Sequence, residues 1–274
     1  MSKPALQVVI SPDQDYFVTG GFQHLKFWYL NETTGLPDTR KPNEKSPPII
    51  QAHSPDLTKV KVPIFVGLAI EGPRIFALTT EGCIYVFDKQ RKLLKWMNIK
   101  VPRAFSCSAQ DGRLYCACSD GVIRIFATET LQHLLSLSKP PPLGSTNLQA
   151  GHPRIKIQQN KANKFADVVA CAVDQLNNRA VALYSDRMMF VWDVAELKSV
   201  TVLRSMYSHS GPIHDIEVVQ NQFPIGLNQK PTSLPRCMAE DCLTKFVTCS
   251  SDRTIRFWSF IDSSIPSQKY HEIY

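Results

Sequence analysis

TCSSDRTIRFW, residues 248–258, reads as a β-strand, a tight turn at Asp252-Arg253 and a second strand ending in Trp258. Thr254, Ile255, Arg256 and Phe257 alternate polar and apolar, which suits a pleated element whose side chains change face at every residue. The pattern recurs along the chain. YSDRMMFVW ends at Trp192, CSDGVIRIF at Phe126, TTEGCIYVF at Phe87 and GGFQHLKFW at Trp28. In that register Asp252 falls on Asp186, Asp120 and Glu81, while the first copy has Phe22 there. Ile255 falls on Met189, Ile123, Ile84 and Leu25, so the position inside the second strand is apolar in every copy.

Each recurrence sits in a set of short strands with turn chemistry between them. Strands are expected at residues 6–10, 16–19 and 24–29, the first turning through Ser11-Pro12-Asp13, where Pro presets φ and Asp bonds the backbone ahead. Compact sets follow at 64–70, 74–78, 83–87 and 93–96, and at 104–108, 113–118, 122–126 and 133–137. The next lies at 168–173, 180–184, 188–192 and 200–204, and the last at 213–219, 245–249 and 254–258, with the tail 263–274 able to add one strand. Phe87 and Phe126 are 39 positions apart, close to the roughly 40–45 residues of a four-stranded WD-type propeller blade. The other intervals are longer by about the length of polar, Pro-rich insertions at 31–62, 138–165 and 220–243. The expected fold is all-β: a WD-repeat propeller of about five four-stranded blades, at approximately 6–62, 63–100, 101–165, 166–208 and 209–274. Because the first strand opens a blade of its own, with none spare to complete the last, an incomplete ring from a longer protein is expected.

The copies differ in their polar residues. In the fifth, His209, Thr248, Asp252 and Trp258 match the hydrogen-bonded set of a WD repeat, which the resemblance makes an internal staple of the blade. Asp186 and Trp192 keep part of that set in the fourth copy, where Ala182 stands for Thr248. The third keeps Asp120 but has Cys116 and Phe126. Only the fifth is therefore expected to carry the whole network, the others being held by apolar packing.

Composition narrows the function classes. The chain is 43% hydrophobic and 20% charged, ordinary for a globular protein. No run of 18 apolar residues exists, so no membrane-spanning helix is expected. The N-terminus lacks the apolar core of a signal peptide, and a cytoplasmic location is expected. Cys83, Cys107, Cys116, Cys118, Cys171 and Cys249 fall in apolar strand patterns and read as reduced thiols. Cys237 and Cys242 with His209 or His214 lack a second ligand pair at zinc spacing, so no metal is expected. Apart from His209, the histidines are assigned to loops. No Walker loop, dinucleotide fingerprint or HExxH is present, so neither catalysis nor a cofactor nor a small-molecule substrate is expected. Ser46 and Ser54 each precede Pro in the first insertion and are candidate phosphorylation sites. A net charge of +7 with pI about 9.0, and the group Arg154, Lys156, Lys161 and Lys164, support an alternative: a basic propeller that binds microtubules or nucleic acid directly.

Longer segments carry a more specific resemblance. YFVTGGFQHLKFWYL (16–30), LLKWMNIKV (93–101), CSDGVIRIF (118–126), SKPPPLG (138–144) and TCSSDRTIRFW resemble the N-terminal propeller of the mitogen-activated-protein-kinase-binding WD-repeat scaffolds. Those are large proteins with two propellers and a long C-terminal tail that holds the kinase-docking segment. The resemblance implies a scaffold for protein–protein interactions in Jun N-terminal kinase signalling, with centrosomal and kinase-pathway partners and a place at centrosomes and spindle poles.

Overall fold

In a computed structural model, residues 4–29, 52–55, 64–139, 166–174, 178–207, 209–219, 245–259 and 270–272 are described. Every regular element among them is a β-strand. The chain forms two compact units, Met1–Lys100 and Val101–Tyr274.

The first unit holds two four-stranded antiparallel sheets. One comprises β1 (Ala5–Ile10), β2 (Tyr16–Gly21), β3 (His24–Tyr29) and β4 (Ala52–His53), the other β5 (Phe65–Glu71), β6 (Arg74–Thr79), β7 (Cys83–Asp88) and β8 (Leu93–Asn98). The second unit holds three. They are β9 (Ala104–Gln110), β10 (Arg113–Cys118), β11 (Val122–Ala127) and β12 (His133–Ser138); β13 (Val168–Asp174), β14 (Arg179–Tyr184), β15 (Met188–Asp193) and β16 (Thr201–Tyr207); and β17 (Ile213–Val219), β18 (Lys245–Ser250), β19 (Thr254–Ser259) and β20 (Tyr270–Glu272). Each sheet is a meander with its strands in chain order. The all-β expectation and the five four-stranded blades are what the structure shows.

Three readings need correction. The insertion read at 31–62 contributes β4, which pairs with Phe27 and Trp28, because the edge of β3 still offers backbone groups there. Ser138, placed at the start of the second insertion, is the last residue of β12 and pairs with Val122. His53, assigned to a loop, lies on β4, while His24, His133 and His214 lie on the strands expected at 24–29, 133–137 and 213–219. Residues 140–165 and 220–244 lie outside the described residues, and with them Arg154, Lys156, Lys161, Lys164, Cys237 and Cys242.

Packing explains why the strands are so apolar. A four-stranded sheet has two faces, and stacking on a neighbour is the way to bury them. The face of β14 and β15 carrying Ala182, Phe190 and Trp192 packs on Tyr115, Ile123 and Ile125 of the sheet before it. The opposite face, with Val181, Leu183 and Val191, packs on Ile216, Phe246 and Trp258 of the sheet after it. Within the first unit, Val18, Leu25 and Phe27 pack likewise on Phe65, Tyr85 and Phe87. Thus Phe87, Trp192 and Trp258 face the preceding sheet of their own unit, and Val191, the strand neighbour of Trp192, faces the following one. In the second unit the first strands β9, β13 and β17 lie side by side. The fourth strands form the outer rim, where Leu94, Leu134 and Val202 are exposed.

The hairpin turn that defines the repeat has one geometry. The residue after the acidic position is left-handed in four sheets: Gly82 (φ 75°), Gly121 (φ 74°), Arg187 (φ 71°) and Arg253 (φ 64°). Glycine adopts this conformation without strain, whereas the two arginines accept a modest cost to close the loop.

Candidate functional site

The polar cluster of the fifth sheet forms around His209, whose side chain is fully buried. Trp258 Nε1–H donates to Thr248 Oγ1 at 2.8 Å, on paired strands β18 and β19. Thr248 Oγ1 lies 2.8 Å from His209 Nε2, and His209 Nδ1 lies 2.9 Å from Asp252 Oδ2. Since the indole can only donate, the Thr248 hydroxyl proton is available for Nε2. Nδ1 then carries the hydrogen and donates it to the carboxylate. The series has one consistent proton order, with His209 neutral and Asp252 ionised.

Asp252 is held from other sides as well. It accepts from the Ser210 backbone N–H (3.0 Å), the Thr254 backbone N–H (3.0 Å) and the Thr254 hydroxyl (2.6 Å), while Arg256 Nη2 stands at 3.8 Å. Arg256 Nε also donates to Thr254 Oγ1 at 3.2 Å. Gly211 lets the backbone close over the turn, because a Cβ there would stand 2.8 Å from the Asp252 nitrogen. Burial pushes the Asp252 carboxyl up, but the bonds from Thr254, His209 and the Ser210 backbone outweigh it and hold the group well below the ordinary carboxylate range. Burial lowers the His209 pKa, against the opposing effect of its hydrogen bond to Asp252.

These shifts set an acid-stability profile. A histidine whose folded pKa lies below the ordinary 6.5 contributes fully above 6.5, and its contribution is lost as pH falls from there to the lowered value. A carboxylate depressed below 3.8 contributes fully above 3.8 and is lost as pH falls further. Melting temperature should therefore decline in two stages on acidification, the first starting near 6.5. A midpoint unchanged down to pH 4 would contradict the neutral His209.

Asp120 and Asp186 occupy the same turn position with different company. Asp120 pairs with Arg124 through two bonds, 3.0 and 2.5 Å, and accepts the Val122 N–H at 3.3 Å. Asp186 accepts the Met188 N–H at 3.3 Å and pairs with Lys139, which reaches across from the end of β12 and sits 5.0 Å over the Tyr184 ring. Neither touches a buried histidine, and their side chains remain 35% and 40% exposed, against 6% for Asp252. Trp192 lies buried between Tyr184 and Phe190. Arg113 ties two sheets together by donating to the Val194 carbonyl at 2.5 Å, and Arg187 ties the next pair through the Ser210 carbonyl at 2.6 Å.

The first sheet carries a partial network of three members, with Phe22 at the position of Asp252. In the first sheet Trp28 Nε1–H donates to Thr19 Oγ1 at 2.9 Å, and Thr19 Oγ1 lies 2.8 Å from His24 Nε2. Thr19 pairs with Lys26 as Thr248 pairs with Arg256, but the intervening hairpin is one residue shorter. A gapless comparison anchored at Trp28 puts Val18 beneath Thr248 and hides the match. The histidine here comes from the start of β3 and takes the place that His209 fills from before β17.

The thiols and remaining candidates fall outside any reactive arrangement. All six described cysteines are free, four of them buried. Burial pushes Cys107 up to about 12 and Cys118 up to about 11, which suppresses the thiolate. Among the described residues no group of three or more His, Cys, Asp or Glu could hold a metal ion. Both ring nitrogens of His209 are engaged, and His214 Nε2 lies 2.7 Å from Ser251 Oγ. Ser54 is exposed immediately after β4, while Ser46 is outside the described residues. No helix of the described residues is long and apolar enough to cross a membrane.

Comparison with known proteins agrees with this geometry. The family model for the WD domain, G-beta repeat, matches residues 236–259, which include the Thr248–Asp252–Trp258 set. Mitogen-activated protein kinase-binding protein 1 of Mus musculus is 29% identical over 276 residues, covering 99% of this chain and 17% of that protein. WD repeat-containing protein 62 of Mus musculus is 30% identical over 258 residues, covering 93% of this chain and 16% of its own length. The chain thus spans less than a fifth of the length of the curated relatives it matches. The solved structure of U3-55K superposes with a TM-score of 0.61 at 11% identity, covering 96% of this chain and 63% of that one, which shows a shared fold. The chain thus carries a WD-repeat match in its fifth sheet and is similar along almost its whole length to mitogen-activated protein kinase-binding protein 1 and WD repeat-containing protein 62.

Proposed function

We propose that this chain is a non-enzymatic scaffold module that holds proteins of the mitogen-activated-protein-kinase pathway. In this reading it serves Jun N-terminal kinase signalling and centrosome and spindle organisation, working in the cytoplasm and at spindle poles. The observation that supports it most directly is the alignment of 99% of the chain with a protein named for binding a mitogen-activated protein kinase. The site geometry points the same way. His209 and Asp252, the pair that a general-base mechanism would need, are committed to Thr248, Thr254 and backbone N–H groups inside the blade. A propeller built this way presents its loops and rim to partners and keeps its polar network as architecture.

The test is capture of partners by the tagged chain from dividing cells, with Asp252→Ala as a variant of weakened fold. Enrichment of Jun N-terminal kinase pathway and centrosomal proteins on the wild type, reduced on the variant, is the expected result. Equal recovery on both would overturn the reading. Live imaging that shows no concentration at spindle poles would remove the localisation.

A further inference from the structure

The outer strand of the second sheet carries a residue that the fold does not need. Trp96 is 62% exposed, the most exposed of the large aromatic side chains described, and Leu94 beside it is 45% exposed. Trp96 pairs with Tyr85 across the strands. The corresponding pairs in the next two sheets are Arg124 with Ser136 and Phe190 with Ser205, so a small polar residue suffices at this place. Burial therefore cannot explain the indole.

Its setting is ordered. The ring lies nearly parallel to Tyr85, with centroids 6.4 Å apart and planes 24° apart. Tyr85 belongs to the face that packs against the first sheet. The rim of that first sheet is β4, two residues long against six in β8, so among the described residues little shields Trp96. The strand order ends at β8, whose outer edge offers backbone N–H and C=O groups that pair with no described strand.

The segment that carries it is cationic, although Glu81 acts on Tyr85 from the turn before β7. Residues 89–100, KQRKLLKWMNIK, contain Lys89, Arg91, Lys92, Lys95 and Lys100 and no carboxylate. Of the neighbouring acids, Asp88 is engaged by the Lys92 backbone N–H at 2.8 Å, and Asp13 lies within the field of Lys89. The hairpin that presents these cations is fixed in place. The Tyr29 hydroxyl donates to the Lys89 carbonyl at 2.6 Å, and the Arg91 guanidinium lies 5.5 Å over the Tyr29 ring. An exposed aromatic anchor on a strand flanked in sequence by cations has the composition of an interface hot spot.

We propose that the outer edge of β8 is a docking site for an extended, acidic polypeptide segment. The segment adds alongside β8, sets an apolar side chain on Trp96 and Leu94, and faces its carboxylates toward Lys92. The open strand edge favours a peptide over a nucleic acid, which has no row of amides to pair with it. This proposal rests on the scaffold reading and names a partner chemistry for one surface of it.

The experiment uses the whole chain and two fluorescein-labelled peptides, one alternating Glu and Val, the other alternating Gln and Val. Fluorescence anisotropy should show saturable binding of the Glu peptide that weakens as salt is raised. Trp96→Ser, which installs the side chain of the corresponding sheets, should weaken it by about tenfold or more with an unchanged melting temperature. Lys92→Glu combined with Trp96→Ser should weaken it further. Equal binding by Trp96→Ser, or by the Gln peptide, would overturn the site, as would no binding by the wild type. Displacement by oligothymidine would transfer the surface to nucleic acid, and self-association lost on Trp96→Ser would transfer it to a second copy; either result overturns the peptide. Partner capture that persists in Trp96→Ser would leave the scaffold reading standing while this surface fails.

Discussion

Asp252→Ala is expected to lower the stability of the second unit by roughly 3–5 kcal/mol, because several donors lose one charged acceptor and a buried donor left unsatisfied costs about 1–3 kcal/mol. The carboxylate is 6% exposed and the His209 side chain is fully buried. Its removal strands the Nδ1–H of His209 in the interior and leaves the Ser210 and Thr254 N–H groups without their acceptor. Chemical denaturation followed by circular dichroism measures the loss. Asp120→Ala and Asp186→Ala give the contrast. Both carboxylates are more than a third exposed and paired to flexible cations, so each should cost about 1 kcal/mol or less. Losses of similar size for all three aspartates would mean that the His209 contact contributes nothing. In Asp252→Asn one oxygen remains to accept from Thr254, but the amide N–H₂ meets the His209 donor if placed toward it. That variant should fall between wild type and alanine.

Trp192→Ala is expected to cost about 3–5 kcal/mol through a different mechanism, the loss of apolar contact together with the cavity left behind. The indole is 3% exposed and packs with Tyr184 at 6.5 Å and Phe190 at 5.7 Å between ring centroids. It stands between the fourth sheet and Ile125 and Leu137 of the third, so neighbours on both sides lose contacts. Trp192→Phe should recover much of the stability, because Phe87 and Phe126 fill the same position in the second and third sheets. A small loss for Trp192→Ala, with Trp192→Phe no better, would show that the sheets can collapse onto the vacated space.

The two expectations separate electrostatic from packing contributions by their response to pH. The Asp252 effect should shrink on acidification through 3.8, where the wild-type carboxylate itself begins to lose its advantage. The Trp192 effect has no titrating partner of that kind and should persist. Measuring both variants at neutral and acid pH therefore checks each assignment against the other.

The repeat was legible in the sequence because its signals are local. Strand alternation, an acidic turn residue and a closing aromatic recur in the geometry of a four-stranded meander, so TCSSDRTIRFW identifies the register of the second to fifth sheets. The fifth-sheet set of His209, Thr248, Asp252 and Trp258 was legible through its resemblance to the WD repeat, whose hydrogen-bonded positions it matches. The first-sheet set was not. Its hairpin is one residue shorter, and its histidine arrives from a different strand, so Thr19, His24 and Trp28 meet only once the chain is folded. β4 was hidden for a related reason: two residues carry no periodicity, and their pairing depends on the open edge of β3.

Sequence alone therefore determined the all-β repeat, its register and the identity of the acidic turn position, because those follow from short-range spacing. Tertiary structure decided what each copy is for. Three aspartates that are equivalent in sequence differ in burial and in partner, and burial sets whether a carboxylate is a staple or a solvated turn residue. The same holds for the tryptophans. Trp192 and Trp258 lie where a neighbouring sheet covers them, whereas Trp96 stands on a rim beside a two-residue strand. Whether an indole is core or surface depends on what the rest of the chain places over it, and residue spacing carries no record of that.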